Sequence, residues 1–320
     1  MPARIAILVS VLGLTAAVIL WVERPQPTQA DVARAPANEP TAGKAPLRLG
    51  LVPERDIFAQ RRHYRTLAEY LARRLDQPVE LVTLGSYEQI LSDFADHRVD
   101  AAFLGSFVTV LAVDRLGAQV LVKPAAADGK STYHGVVFVR GDSPARSLSD
   151  LAGKRVVMVR ATSAGSLFPL CQLRRSGLLE GPNAVKIRWV GTHDDAVQEV
   201  IDGAADAGAA KDSRLDQMQI EQPAIRLRRL ATSDAVPENA LVVRSDLSSR
   251  WGPRLTDVLS QMSSNDEGRA VLRDFGADRF APSNIDEYRP VYQMCGDVND
   301  RCWTMQGIPG APPRWPTTSR

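Results

Sequence analysis

Small hydroxyl residues and a glycine follow a run of apolar, mostly β-branched residues in the middle of the chain. The run 156–159 leads to Thr162 and Ser163, Gly165 follows, and an apolar helical pattern starts at Leu167. Backbone N–H groups at a helix start have no intrahelical acceptor, and the helix dipole favours negative charge there. Thr162 and Ser163 are therefore either helix caps alone or caps that also donate hydrogen bonds to an anion.

Two further segments of this kind occupy matching places in two halves of the chain. Segments 85–87 and 191–193 each follow a strand-like run and open an amphipathic helical pattern, and they end in Tyr87 and His193. An aspartate follows each segment at the same interval, namely Asp100 and Asp206. Two lobes of like topology explain this repeat, and they place Tyr87 and His193 at equivalent helix starts.

In open α/β sheets, ligands bind beyond the carboxyl ends of the strands. Two such lobes facing each other would enclose a cleft, lined by Tyr87 and Ser106 from one lobe and by Thr162, Ser163 and His193 from the other. All five side chains can donate hydrogen bonds, and none is an acid. The expected ligand is therefore a small oxyanion.

The elements that must position these residues alternate between strands and helices, which predicts α/β lobes with largely parallel sheets. Crossover strands are expected near 133–140 and 240–244, and C-terminal helices are expected to return to the first lobe. The predicted organisation is a first lobe of residues 47–136 and 241–294, a second lobe of residues 137–240, and an irregular tail of residues 295–320.

Composition is that of a globular protein with a short apolar leader. The chain has 320 residues, 44% of them hydrophobic, and its formal net charge of +2 excludes an electrostatic nucleic-acid binder. The uncharged run 5–22 is long enough to cross most of a bilayer core of about 30 Å. Residues 1–24 are thus predicted to be an uncleaved membrane anchor or a cleaved signal peptide, and the Pro/Ala-rich residues 25–46 a linker.

In the order and spacing of its motifs, the chain from Leu47 to Tyr292 resembles the periplasmic binding proteins of phosphate, phosphite and phosphonate ABC transporters. The motifs are 86–87 and 99–105 in the first lobe, and 147–155, 162–165 and 191–194 in the second. The resemblance implies the type II periplasmic-binding fold, here preceded by an N-terminal membrane segment. It also implies a non-enzymatic solute-binding protein without cofactor or metal, which captures a phosphorus oxyanion between its lobes and delivers it to an ABC permease.

The same resemblance implies which residues contact the ligand. The family's tyrosine, its serine/threonine run before a glycine, and its histidine correspond to Tyr87, to Thr162 and Ser163 before Gly165, and to His193. Ala164 takes the place of the last serine of that run, so one hydroxyl donor is missing. Arg160 is expected either to add positive charge near the anion or to point to solvent.

Family members that bind aminoalkyl phosphonates also present carboxylates to the amine. In this chain Ser213 and Asn239 fill those places, whereas an alignment shifted by one residue restores Asp212 and Glu238. Loss of the carboxylates favours a bare oxyanion or a simple phosphonate over an amine-bearing ligand.

Two alternatives to a transport function are considered. An enzymatic triad of Ser163, His193 and Asp194 is disfavoured, because adjacent side chains diverge on a helix. An uncleaved anchor would suit a membrane-tethered oxyanion sensor that reports to a histidine kinase. In either role the protein is expected to be exported to the periplasm, or anchored there to the inner membrane, and to be monomeric.

Cys295 and Cys302 lie close enough in sequence to form a disulfide bond.

Overall fold

The computed structural model describes residues 44–51, 57–84, 89–298, 303–305, 307–308 and 310–313. The predicted membrane segment and most of the predicted linker lie outside these residues. Within the described part of the chain, no helix combines the length and the apolar character needed to span a bilayer.

Eleven strands form two separate sheets among the described residues. The first sheet has the order β11-β4-β10-β3-β1-β2 and the second the order β7-β6-β8-β5-β9. The strands are β1 Leu47–Leu51, β2 Val79–Thr83, β3 Ala101–Leu104, β4 Gln119–Ala125, β5 Thr132–Arg140, β6 Arg155–Val159, β7 Lys186–Val190, β8 Ala207–Lys211, β9 Leu227–Pro237, β10 Ala240–Val243 and β11 Arg279–Pro282.

The two sheets repeat one arrangement, which confirms the predicted α/β lobes of like topology. In the first sheet β1 lies between the parallel strands β2 and β3, and the antiparallel β10 follows β3. In the second sheet β6 lies between the parallel strands β7 and β8, and the antiparallel β5 follows β8. The carboxyl ends of equivalent strands therefore carry equivalent loops.

An arginine–aspartate clip explains the repeated aspartate in each lobe. Asp100 accepts from the Arg48 backbone N–H at 2.8 Å and from its guanidinium at 2.9 and 3.2 Å. Asp206 accepts from the Arg155 backbone N–H at 2.9 Å and from its guanidinium at 3.0 and 3.1 Å. In both lobes the clip ties the start of the central strand to the turn before its parallel neighbour.

Helices cover the faces of both sheets. They are α1 Ile57–Leu75, α2 Gln89–Ala95, α3 Ser106–Leu116, α4 Phe168–Arg175, α5 His193–Ile201, α6 Asp212–Glu221, α7 Ser248–Ser260, α8 Asp266–Phe275 and α9 Arg289–Asp297. One core lies between the first sheet and α1, α7 and α8, and it includes Leu67, Trp251 and Leu272. A larger core joins α2, α3 and α9 to the second lobe.

The chain passes between the lobes twice. The first crossing lies between β4 and β5, a few residues before the predicted boundary after residue 136, because β5 pairs with β8 and β9 along most of its length. The second crossing is Glu238-Asn239, between β9 and β10. The Glu238 N–H donates to the Ser131 carbonyl at 2.9 Å, so the two crossings are hydrogen-bonded to each other.

The C-terminal region contacts both lobes, and most of its described residues beyond α9 lie outside regular secondary structure. Helix α9 packs against α3 of the first lobe and α4 of the second. Beyond it, Trp303 is buried, its ring meets Phe107 edge-on at 5.7 Å, and its indole N–H donates to the Gly310 carbonyl at 2.6 Å. Buried apolar side chains and a satisfied indole account for this order in a segment without periodicity.

The structure contains two elements that the sequence did not lead us to expect. Helix α6 and strand β11 were not predicted, because Asp212 and Ser213 were interpreted as binding residues and β11 is a four-residue strand that ends in Pro282. Cys295 is a free, buried thiol, and its predicted partner Cys302 lies outside the described residues.

Candidate functional site

One helix start from each lobe meets the other through a serine hydroxyl. Ser106 is the first residue of α3, directly beyond the carboxyl end of β3. Its Oγ lies 3.0 Å from the Oγ of Ser163, which belongs to the second lobe, and 2.7 Å from the hydroxyl of Tyr133. All three side chains are buried. These groups form a continuous row of hydroxyls, hereafter the hydroxyl row.

Tyr133 brings the crossing region into this row. It is the second residue of β5, immediately after the first crossing between the lobes. Burial raises the pKa of its phenol, against the opposing influence of the nearby Lys211 ammonium. The phenol therefore stays protonated at neutral pH and remains both a donor and an acceptor.

The turn that carries Ser163 depends on local capping. Ala161 has a positive φ of 54°, and the five-residue π-turn Ser163–Leu167 then leads directly into α4. The Thr162 hydroxyl donates to the Val159 carbonyl at 3.0 Å and accepts from the Gly165 N–H at 3.0 Å. Because the single hydroxyl proton of Thr162 is used within the turn, Thr162 acts as a cap, and Ser163 is the hydroxyl that faces the other lobe.

His193 occupies the start of α5, beyond the carboxyl end of β7. Thr192 caps the helix by accepting from the Asp195 N–H at 3.1 Å, and the Asp195 carboxylate accepts from the Thr192 N–H at 3.0 Å. His193 is buried at this position. The neighbouring Asp194 carboxylate receives two hydrogen bonds of 2.8 Å from Arg214, so it is directed to that arginine and not to a catalytic triad.

A buried lysine stands at the end of β8. Lys211 Nζ donates to Asn239 Oδ1 at 3.0 Å and lies 3.3 Å from Glu238 Oε2. It also lies 4.4 Å from the centre of the Tyr133 ring, a cation–π distance. The two partner residues form the second crossing, so Lys211 is held by a segment that connects the lobes.

A cleft of about 640 Å³ lies between the lobes. Three predicted site residues line it, namely His193, Ser213 and Asn239, together with Lys211 and Glu238. Its described charged residues comprise four cations, Lys130, Lys211, Arg214 and Arg273, and two carboxylates, Glu238 and Asp278. The cleft is thus predominantly cationic.

The predicted site residues fall into three groups in the structure. Ser106 and Ser163 touch each other, and His193, Ser213 and Asn239 line the cleft. Thr162 and Gly165 support the turn beneath Ser163. Tyr87 lies outside the described residues.

The Asp212 carboxylate and Arg160 have structural partners. Asp212 Oδ1 accepts from the His134 and Ser213 N–H groups at 3.0 and 2.8 Å, which orients the start of α6. Arg160 was expected either to add positive charge near an anion or to point to solvent, and the structure gives it other partners. Its guanidinium stacks 4.5 Å from the Trp189 ring centre and donates to the Met305 carbonyl at 2.6 Å.

Sequence reasoning did not single out Tyr133 or Lys211. The internal repeat held a signal for Lys211, because Asp206 precedes it by the same interval at which Asp100 precedes Gly105, next to Ser106. Tyr133 carried no such signal within an otherwise apolar strand.

A sequence profile of the family described as "ABC transporter, phosphonate, periplasmic substrate-binding protein" matches residues 49–288. The chain belongs to this family. Among curated relatives of this binding protein, the phosphonates-binding periplasmic protein of Escherichia coli is 24% identical over 267 residues, covering 81% of this chain and 78% of the relative. The phosphate-import protein PhnD of Mycolicibacterium smegmatis is 25% identical over 271 residues, covering 80% and 78%.

A solved structure supports the same fold for this family member. PhnD1 from Prochlorococcus marinus in complex with methylphosphonate superposes with a TM-score of 0.67 at 19% identity, covering 78% of this chain and 96% of that one. The fold is therefore the two-sheet periplasmic-binding fold. Membership places this chain among periplasmic substrate-binding proteins of ABC transporters.

Proposed function

We propose that this chain captures a small phosphorus oxyanion, such as phosphate, phosphite or a phosphonate, between its lobes and delivers it to an ABC permease. The observation that carries the proposal is the hydroxyl row, in which Ser106 and Ser163 join the helix starts of two lobes beside a cationic cleft. Hydroxyl donors at helix starts suit an oxyanion on both geometric and electrostatic grounds.

Closure of the lobes is the proposed step between binding and delivery. The two crossings at 126–131 and 238–239 are short and joined by one backbone hydrogen bond, as expected of a hinge. An oxyanion that contacts both lobes would favour the closed arrangement by its differential affinity for that state. The closed lobes would then present a joined surface to the permease.

The direct test is calorimetry and thermal unfolding of the full chain with phosphate, phosphite and methylphosphonate, with sulfate as the comparison oxyanion. A ligand at a hundred times its Kd should add about 2.7 kcal/mol to the free energy of unfolding. We expect at least one phosphorus oxyanion to give binding heat and a higher melting temperature. Absence of both effects for all three would contradict the proposal.

A membrane-tethered sensor is the second candidate, and the uncharged run 5–22 is the feature that favours it. In both cases we propose an exported, monomeric protein, either released into the periplasm or anchored to the inner membrane by that run. Neighbouring coding regions discriminate the roles. An ABC permease and ATPase would support delivery, whereas a histidine kinase without a permease would support sensing.

A further inference from the structure

We propose that Lys211 is a specificity-determining residue, which selects phosphonates that carry a second anionic group, such as a carboxylate, and rejects those that carry an amine. This inference rests on the proposed capture of a phosphorus oxyanion. It deepens that function by assigning a role to the part of the ligand that lies beyond the phosphorus atom.

The position of Lys211 in the fold supports a role in the ligand site. It is the last residue of β8, at the carboxyl edge of the second sheet where the loops with Ser163 and His193 also lie. The residue is only 8% exposed, yet it lines the cleft together with His193 and Ser213. A lysine is rarely so buried unless its charge is paired or used.

Tyr133 relates Lys211 to the hydroxyl row. Its hydroxyl lies 2.7 Å from Ser106 Oγ, and its ring centre lies 4.4 Å from Lys211 Nζ. The ammonium therefore lies over the ring whose hydroxyl belongs to the row. A ligand that reaches both groups needs only a short alkyl chain between its phosphonate and its second charged group.

The partners of Lys211 can exchange with a ligand. The Glu238 carboxylate lies 3.3 Å from Nζ, longer than an ordinary charge-assisted hydrogen bond, and its side chain is 26% exposed. A ligand carboxylate could therefore take over this contact while Glu238 turns to solvent. Asn239 and the Tyr133 ring would continue to hold the ammonium.

An amine-bearing ligand would meet the opposite electrostatics. Its ammonium would lie against the Lys211 ammonium in a cleft whose described lining holds more cations than carboxylates. Like charges placed together in a partly desolvated site disfavour binding strongly. The same side chain thus attracts one class of phosphonate substituent and repels the other.

The test compares Kd values of phosphonoacetate, methylphosphonate and 2-aminoethylphosphonate by calorimetry on the full chain and on Lys211→Met. We expect the wild type to prefer phosphonoacetate over 2-aminoethylphosphonate by at least about tenfold, and Lys211→Met to reduce that ratio by about tenfold. Because both Kd values come from one sample, the ratio does not depend on the folded fraction. Lys211→Arg, which keeps the charge, should retain the preference.

Lys130→Met is the matched control. It removes the same charge from an exposed position on the lining of the same cleft, and it should change the ratio much less than Lys211→Met. A wild-type preference for 2-aminoethylphosphonate, an unchanged ratio in Lys211→Met, or an equal change in Lys130→Met would overturn the inference while leaving the capture of an oxyanion intact. Failure of the wild type to bind any phosphorus oxyanion would overturn both.

Discussion

His193 belongs to the motif 191–194, and its buried side chain at the start of α5 lines the cleft. We expect His193→Ala to weaken binding of the proposed oxyanion by about 1.5–3 kcal/mol, the range for a hydrogen bond to a charged group. Calorimetry on the full chain measures this change. His193→Gln, which keeps a donor at nearly the same place, should lose less, and equal losses would contradict a donor role.

The Asp206 carboxylate carries a pH-dependent part of the stability. Its hydrogen bond from Arg155 lowers its pKa below the usual value of about 3.9, so the stabilising charge is present above that value. Asp206→Asn should lower the free energy of unfolding at pH 7 by less than about 1 kcal/mol, because solvent screens this half-exposed pair. Denaturant unfolding across pH measures the difference.

The sign of the pH effect follows from the lowered pKa. The stabilisation by Asp206 is lost as the pH falls through its folded pKa, so wild type and Asp206→Asn should converge below about pH 4. Asp142→Asn removes the aspartate of another arginine pair in the same lobe, one that is more exposed than Asp206, and is the control. A difference that grows on acidification would contradict the assignment.

At the scale of elements, the turn before α4 requires glycine at one position. A Cβ on Gly165 would lie 2.6 Å from Thr162 Oγ1 and 2.7 Å from Val159 Cβ. Gly165→Ala should therefore cost about 1–3 kcal/mol of folding free energy and weaken oxyanion binding, because Ser163 moves with the turn. Chemical denaturation and calorimetry test the two effects.

Gly191 supplies the matched control for Gly165, since it belongs to the equivalent motif before α5. A Cβ there would meet only Asp195 Oδ2, at an ordinary 3.7 Å. Gly191→Ala should leave stability within about 0.5 kcal/mol of wild type. Equal destabilisation by both substitutions would show that the close contact at Gly165 does not cause the loss of stability.

The segment after α9 stabilises the molecule through Trp303. Besides its contacts with Phe107 and the Gly310 carbonyl, its ring lies 5.8 Å from the Arg115 guanidinium. Trp303→Ala should cost about 3–5 kcal/mol by opening a cavity, whereas Trp303→Phe should cost much less. Urea unfolding compares them, and a negligible cost for the alanine variant would mean that this segment adds no packing energy.

Periodicity predicted the elements of the fold more completely than it predicted the site. Strands β5 and β10 lie where strands were predicted, near 133–140 and 240–244, because continuous apolar runs require burial whatever surrounds them. Lys211 and Trp303 escaped prediction for the same physical reason. A charge at a strand end and a tryptophan in a proline-rich segment have no local pattern, and their roles depend on partners far away in sequence.

At the scale of the whole molecule, the internal repeat of the sequence corresponds to two sheets of like topology. The two clips, Arg48–Asp100 and Arg155–Asp206, brace the equivalent strands β1 and β6, and His193 and Ser213 at the starts of α5 and α6 line the cleft. The positions of Ser106 and Ser163 at helical turns beyond strand ends could be predicted, because this topology follows from alternating elements. Their direct contact could not, because it depends on the angle between the lobes.

The hydroxyl row has a reversible polarity. Each of Tyr133, Ser106 and Ser163 can donate or accept, so rotation of three O–H bonds turns the end of the row from a hydrogen-bond donor into a hydrogen-bond acceptor. Such a row can match a ligand oxygen whether or not that oxygen carries a proton. A backbone N–H group, by contrast, can only donate. If the proposed oxyanion contacts the row, the row would suit both ionisation states of a diprotic acid across its second pKa.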